Sequence, residues 1–181
     1  MTIKRVLVTY ATGHGSTASV ASQIAEYFQG FETDVDVLHI GDATSPGLYD
    51  AVVIGSPIRH DSWLPSAKAY VARHAATLAA RPVAYFFTCM ALSVPGGGAQ
   101  SQRYADQIAA QNEVVTPVSV GQFAGALDLG NFPGPLRLAA RLLLHIRGAK
   151  SGDFRDPDAI GVWSRNCFGS FQLKKTMETK L

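Results

Sequence analysis

The sequence predicts an α/β protein built on a doubly wound, five-stranded parallel sheet with helices on both faces. Short runs of β-branched and aromatic residues alternate with longer amphipathic stretches, which is the order of parallel strands joined by crossover helices. Two of the short runs, at 51–55 and 83–88, are almost continuously apolar. Such runs are typical of strands buried on both faces of a parallel sheet.

Strands and helices alternate from the N-terminus to the C-terminus. The short β-branched and aromatic runs predict strands at 5–10, 34–39, 51–55, 83–88 and 114–120. The amphipathic stretches have the length of crossover helices and predict helices at 17–29, 64–79, 100–111, 135–147 and 157 to about 173. Gly and Pro cluster without periodicity at 93–98 and at about 123–135, so these segments are predicted to be loops.

Length and charge restrict the class of protein. The 181 residues predict a single domain at 1–174, with an insertion loop at about 123–135 and a C-terminal tail at 175–181. Lys and Arg number 16 against 14 Asp and Glu, and this net charge of +2 is too small to predict nucleic-acid binding. No apolar run has the length of a signal peptide or approaches the roughly 18 residues of a membrane span, so a cytoplasmic protein is expected.

Cysteines and histidines predict no metal site. Cys89 and Cys167 form no CxxC pair, and the five His show neither HxxH nor HExxH spacing. Both cysteines are expected to be buried free thiols, because a cytoplasmic protein keeps its thiols reduced.

The strongest candidate site lies where the first predicted strand runs into the first helix. This segment contains two glycines and three hydroxyl residues, Thr12, Gly13, Gly15, Ser16 and Thr17. Unpaired N–H groups and the positive end of the dipole at a helix N-terminus attract an anion, and glycines let it approach the backbone closely. The alternative is a tight turn in which a hydroxyl only caps the helix.

Three kinds of phosphate-binding loop compete for this segment. A Walker loop requires a Lys after its second glycine and none is present, which disfavours nucleoside triphosphates. The spacing Gly13-x-Gly15-x-x-Ala18 matches a dinucleotide-binding fingerprint, but the second strand ends in His39-Ile40 where that fingerprint expects an acidic residue. A nicotinamide cofactor is therefore the weaker alternative. A hydroxyl-rich loop without a basic side chain suits the monophosphate of flavin mononucleotide (FMN).

Motifs spread over most of the chain resemble those of one known family. They are Tyr10-Ala11-Thr12 with Gly15-Ser16-Thr17, residues 49–59 with Trp63-Leu64-Pro65, residues 123–127 and residues 153–160. In this order they resemble flavodoxin-domain proteins, in particular the branch that contains menaquinone-dependent protoporphyrinogen oxidase. The resemblance extends to about Trp163, and residues 164–181 match none of the family's motifs.

The resemblance implies a bound FMN with its ring between two further loops. The loop Ser56-Pro57-Ile58-Arg59 lies along one side of the ring, and Thr88-Cys89-Met90-Ala91 lies along the other. Both follow predicted parallel strands, whose carboxyl ends are where open α/β sheets bind ligands. The predicted cofactor-binding residues are Ala11, Thr12, Gly13, His14, Gly15, Ser16, Thr17, Ser56, Pro57, Ile58, Arg59, Thr88, Cys89, Met90 and Ala91.

Four side chains near these loops are further candidates, and three of them have more than one interpretation. Arg59 beside the ring would favour the anionic reduced flavin and attract acidic substrates, or it is an exposed arginine without a function. Trp63 or His60 stacks on the flavin, or Trp63 anchors the following helix by packing. Cys89 is interpreted as a small apolar wall of the site.

The leading functional interpretation is an FMN-dependent oxidoreductase. The flavin carries the redox chemistry, so no catalytic acid, base or nucleophile is predicted. The broader form is a quinone reductase or a general electron carrier, and the sharper form oxidises a porphyrinogen and passes electrons to a quinone. A pI near 8.6 argues against an acidic electron carrier. A nicotinamide-dependent enzyme and a non-catalytic regulatory module on the flavodoxin scaffold are the alternatives.

The apolar stretch 136–150 carries several basic residues. Arg137 and Arg141 are four residues apart and share one face of the predicted helix. The stretch is compatible with peripheral membrane contact, with a crossover helix whose arginines face water, and with a homodimer interface.

Overall fold

The computed structural model describes residues 2–13, 15–43, 45–127 and 152–178. His14, the predicted helix at 135–147 and the basic stretch 136–150 therefore lie outside the described residues. The interpretations that depend on them stay predictions.

Five parallel strands form the central sheet. The described strands are β1 (Arg5–Tyr10), β2 (Asp34–His39), β3 (Ala51–Arg59), β4 (Ser62–Trp63), β5 (Val83–Cys89), β6 (Ser119–Ala124), β7 (Ala126–Leu127) and β8 (Gly152–Asp153). The parallel strands lie in the order β2-β1-β3-β5-β6, while β4 pairs antiparallel with the end of β3 and β7 pairs antiparallel with β8. This order confirms the predicted doubly wound sheet, because the chain builds outward from β1 in both directions.

Helices cover both faces of the sheet. They are α1 (Ser16–Gln29), α2 (Pro65–Arg73), α3 (Ala75–Ala79), α4 (Gly98–Ala109) and α5 (Pro157–Glu178). Helices α1 and α5 bury Phe28, Phe168 and Phe171 against one face. Side chains from α2, α3 and α4 pack with Trp63 and Tyr85 on the other face. Each face of the sheet therefore has its own apolar core, as the continuous apolar strands predict.

Strand β3 is longer than predicted and includes Ser56-Pro57-Ile58-Arg59, which the sequence placed in a loop. Pairing with β5 continues to Pro57, opposite Thr88, whereas pairing with β1 ends at Gly55. At Pro57, β3 therefore has no neighbouring strand on the β1 side. Proline has no N–H group, but no hydrogen bond to β1 is lost at this position, so proline is tolerated.

Three other predicted elements differ in position. The fifth parallel strand is Ser119–Ala124 rather than 114–120, and β7 is Ala126–Leu127, so most of the described part of the predicted loop at about 123–135 is strand. Residues 128–135 of that loop lie outside the described residues. The predicted helix at 64–79 begins at Pro65 and is interrupted at His74, giving α2 and α3. Helix α5 continues to Glu178, past its predicted end and into the segment expected to be a tail.

Candidate cofactor site

A groove lies at the carboxyl ends of the parallel strands, beside the point where strand order reverses between β1 and β3. It is lined by Gly13, Ser16, Thr17, Pro57, Ile58, Arg59, Thr88, Cys89, Met90, Gly125 and Ala126. The fold thus brings together residues from all three predicted loops. Ligands of open α/β sheets bind at this kind of crevice.

The loop after β1 is shaped to leave the start of α1 open. Gly15 has a φ of 89°, a left-handed conformation that costs glycine little, and its N–H donates to Thr12 Oγ1 at 2.9 Å. No side chain among the described residues caps α1, and its first turn contains no acidic residue. The first N–H groups of α1 are therefore available to an anionic ligand at the positive end of the helix.

The end of β3 and β4 form a hairpin that presents Pro57, Ile58 and Arg59 to the groove. Its turn residues, His60 and Asp61, have φ of 48° and 59°, as in the two-residue turns that match strand twist. The buried Ser56 hydroxyl accepts a hydrogen bond from the Leu64 N–H at 3.0 Å, joining the two ends of the hairpin.

A second contact fixes the tip of the hairpin. The Tyr104 hydroxyl on α4 donates to the Asp61 carboxylate and accepts a hydrogen bond from the Gln100 side-chain amide. Burial of Tyr104 and its hydrogen bond to Asp61 raise the pKa of the phenol, so the hydroxyl keeps its proton as a donor. Helix α4 thereby holds the hairpin in place.

Arg59 reaches across the groove from the hairpin to the loop after β1. A Cβ atom built on Gly13 would lie 2.9 Å from Arg59 Nη2 and 3.0 Å from Cζ, so the guanidinium rests directly against this glycine. Of the two interpretations of Arg59, one puts it beside the flavin ring and the other makes it an exposed arginine without a function. Its guanidinium lies at the loop after β1, against Gly13.

The end of β5 forms the floor and the opposite wall of the groove. The buried Thr88 hydroxyl lies 2.9 Å from the Thr17 hydroxyl, which joins β5 to the first turn of α1. Cys89 is 5% exposed, and its carbonyl accepts a hydrogen bond from the Gly125 N–H at 3.1 Å. This bond holds the segment after β6 beside Met90.

Some predicted site residues shape the groove without lining it. Ala11 is buried in the core, and its N–H donates to the Gly55 carbonyl at 2.8 Å. Thr12, Gly15 and Ser56 make the loop and hairpin contacts described above, and Ala91 begins a 3-10 turn that follows Met90. Trp63 is 2% exposed and packs edge-on against Tyr85. This burial agrees with the interpretation of Trp63 as a packing anchor.

Gly125 and Ala126 line the groove but were absent from the predicted site. The predicted strand at 114–120 ends four residues before the carboxyl end of the observed strand. With the strand at Ser119–Ala124, the rule that ligands bind beyond strand ends selects these two residues directly.

The described lining of the groove can bind and orient a ligand but offers little acid–base chemistry. Its only ionisable side chains are Arg59 and Cys89. Among the described residues, no cluster of three or more His, Cys, Asp or Glu side chains is arranged to hold a metal ion. Within the same residues, no helix is both long and apolar enough to cross a membrane.

Comparison with known proteins identifies relatives in sequence and in fold. A family model described as "Flavodoxin domain" matches residues 7–152. The "Protoporphyrinogen IX dehydrogenase [quinone]" of Escherichia coli K12 is 25% identical over 150 residues, which are 81% of this chain and 82% of the relative.

Solved structures show the same fold at low sequence identity. The flavodoxin of Streptococcus pneumonia TIGR4 superposes with a TM-score of 0.52 at 11% identity, covering 94% of this chain and 99% of that chain. A Fusobacterium nucleatum flavodoxin mutant bound to flavin mononucleotide has a TM-score of 0.52 at 12% identity, covering 94% of this chain and 98% of that chain.

Proposed function

We propose that this chain, which belongs to the flavodoxin-domain family, binds FMN in the groove at the ends of β1, β3, β5 and β6 and acts as an FMN-dependent oxidoreductase. The observation that carries the proposal is the groove itself. One end is the start of α1 with its glycine loop, where no described side chain caps the helix, and the other is walled by side chains from β3 and β5.

The two ends of the groove fit the two chemical parts of FMN. Gly13, Ser16 and Thr17 offer backbone N–H groups to a phosphate, and Ser16 also offers its hydroxyl. Apolar side chains suit a planar ring, and they are supplied by Pro57, Ile58, Met90 and Ala126. A bound flavin supplies the electron or hydride transfer, while these residues bind it, orient it and exclude water.

The rigid hairpin is the main device for orientation. Its Ser56 and Asp61 contacts fix Pro57 and Ile58 against the groove, so the ring meets a preformed wall. Preformed walls reduce the ordering that binding requires and so increase affinity.

The reaction we propose is oxidation of a porphyrinogen, or of a chemically similar donor, with transfer of electrons to a quinone. Support comes from the Escherichia coli relative, whose name states this reaction and whose similarity extends over 81% of this chain. The net charge of +2 also argues against the role of an acidic electron carrier.

The visible absorption spectrum of the purified protein tests cofactor binding. The protein is mixed with FMN, passed through gel filtration, and compared with the same protein treated with NADH or NADPH. We expect a retained flavin spectrum. A colourless protein that retains no FMN would contradict the proposal, and retention of a nicotinamide cofactor would favour the dinucleotide alternative.

Turnover is tested with the FMN-loaded protein. Protoporphyrinogen IX is the donor, menadione is the acceptor, and porphyrin fluorescence is recorded under anaerobic conditions. Porphyrin formation that requires both protein and menadione is expected. FMN retention without turnover of this pair, or of menadione with another donor, would instead indicate a regulatory module on the same scaffold.

A further inference from the structure

We propose that Arg59 binds the phosphate of the flavin cofactor and thereby makes the groove select FMN over unphosphorylated riboflavin. This inference rests on the proposed binding of FMN and assigns a role to one side chain within it. It differs from a role at the flavin ring, which the resemblance to flavodoxin-domain proteins implies for the segment that contains Arg59.

The position of the guanidinium is the first argument. Arg59 belongs to the hairpin wall, yet three atoms of its head group, Nη2, Cζ and Nε, lie 2.9, 3.0 and 3.3 Å from a Cβ built on Gly13. Gly13 is part of the loop that leads into α1 and lines the same groove. The charged end of Arg59 is therefore at the phosphate end of the groove.

The surrounding charges are the second argument. Within the described residues, Arg59 takes part in none of the ion pairs, which join Arg5 to Asp36, Arg155 to Asp153 and Lys175 to Asp50. The first turn of α1 also has no acidic residue to neutralise it. A cation and the positive end of a helix dipole thus face the same space, and both favour an anion there.

The chemistry of the head group is the third argument. A guanidinium can donate two parallel hydrogen bonds to phosphate oxygens, and such charge-assisted bonds are stronger than those between neutral groups. The loop itself contributes hydroxyls and backbone N–H groups but no cationic side chain among its described residues. Arg59 supplies the missing charge from a neighbouring strand, and an uncharged ribityl chain gains nothing from it.

Binding of two flavins by matched variants tests this role. Dissociation constants of FMN and riboflavin are measured by quenching of flavin fluorescence for the wild type, Arg59→Gln, Arg59→Lys and Arg103→Gln. Arg103 is an exposed arginine of α4 that does not line the groove, so its replacement removes the same charge elsewhere.

We expect Arg59→Gln to weaken FMN binding about tenfold, the loss typical of one charge-assisted contact, and to change riboflavin binding less than about twofold. Arg59→Lys should retain part of the FMN affinity, and Arg103→Gln should match the wild type. The FMN affinity of the wild type should also fall more steeply with added salt than that of Arg59→Gln.

Each other outcome overturns the inference in a distinguishable way. Equal losses for both flavins would place Arg59 at the ring, and an unchanged FMN affinity would remove it from the binding site. A wild type that binds neither flavin would contradict the proposed function itself. Retained riboflavin binding by Arg59→Gln shows in the same experiment that the variant is folded.

Discussion

The carbonyl oxygen of Ala91 occupies the position that a side chain on Gly97 would need. A Cβ atom built on Gly97 would lie 1.7 Å from this oxygen and 2.5 Å from the carbonyl carbon. The N–H of Gly97 also donates to the Val94 carbonyl at 3.2 Å, which closes a tight turn after Met90. The backbone between β5 and α4 can follow this path only when residue 97 is glycine.

We expect Gly97→Ala to destabilise the protein by about 1–3 kcal/mol, because backbone atoms must move to accept the methyl group. The same movement shifts Met90 and should weaken FMN binding. Gly98→Ala is the matched control, since a Cβ at residue 98 meets no atom within 4 Å. Urea unfolding and FMN titration of both variants provide the measurement. Equal stability of the two variants would show that the turn adapts without cost.

The hydroxyls of Thr17 and Thr88 should be energetically coupled. Replacing either threonine by valine keeps the side-chain shape but leaves the other hydroxyl buried without its partner. Each single variant is expected to lose about 1–2 kcal/mol of stability, and the double variant less than the sum of the two. Urea unfolding of the four proteins forms the double-mutant cycle. Additive losses would mean that the two hydroxyls do not depend on each other.

Asp50 should make the stability of the fold depend on acidic pH. Burial alone raises its pKa, but hydrogen bonds from Lys175 and from the N–H groups of Lys4 and Arg5 outweigh burial and lower the pKa below 3.8. A lowered carboxyl pKa in the folded state stabilises the fold above the unfolded pKa, and this stability is lost as pH falls through the folded pKa.

Asp50→Asn should therefore cost about 1–2 kcal/mol at pH 7, and the cost should shrink below about pH 4. Urea unfolding of the wild type and the variant between pH 3 and pH 7 gives this difference directly. Asp34→Asn, at an exposed residue that begins β2, controls for the loss of one negative charge. A difference between wild type and Asp50→Asn that stays constant with pH would show that the charge of Asp50 is not what stabilises the contact.

The sheet could be predicted from the sequence because its central strands are almost continuously apolar. Strand β6 was misplaced because Val114-Val115 resembles the start of a strand, although the Asn112 side chain accepts hydrogen bonds from both N–H groups and forms a turn there. Competition between a side chain and a strand ladder for the same N–H groups is difficult to predict from local sequence.

The candidate site could be predicted as far as local sequence determines it. Glycines and hydroxyls after β1 indicated the anion-binding end, because that chemistry depends on adjacent residues. The position of the Arg59 head group depends on the path of a hairpin whose turn has two non-glycine residues with positive φ. Likewise, Lys175 and Asp50 are 125 residues apart and meet only because α5 extends along the sheet. Such contacts require the tertiary structure.

The two cysteines provide a chemical test of where FMN binds. Cys89 is 5% exposed and lines the groove, whereas Cys167 is fully buried between α5 and the sheet. Burial raises the pKa of the Cys167 thiol, so little reactive thiolate forms there at neutral pH. In the native protein without FMN, N-ethylmaleimide should therefore modify Cys89 slowly and Cys167 hardly at all.

Bound FMN should protect Cys89, because a ligand in the groove covers the residues that line it, Cys89 among them. Peptide mass spectrometry after timed labelling measures both sites, and we expect saturating FMN to slow Cys89 modification by about tenfold or more while denaturant exposes both thiols equally. FMN and riboflavin should protect Cys89 to the same degree at saturation, since Cys89 lies at the end of β5 rather than at the loop beside Gly13. Cys89 modification at the same rate with and without saturating FMN would show that the flavin does not occupy this groove.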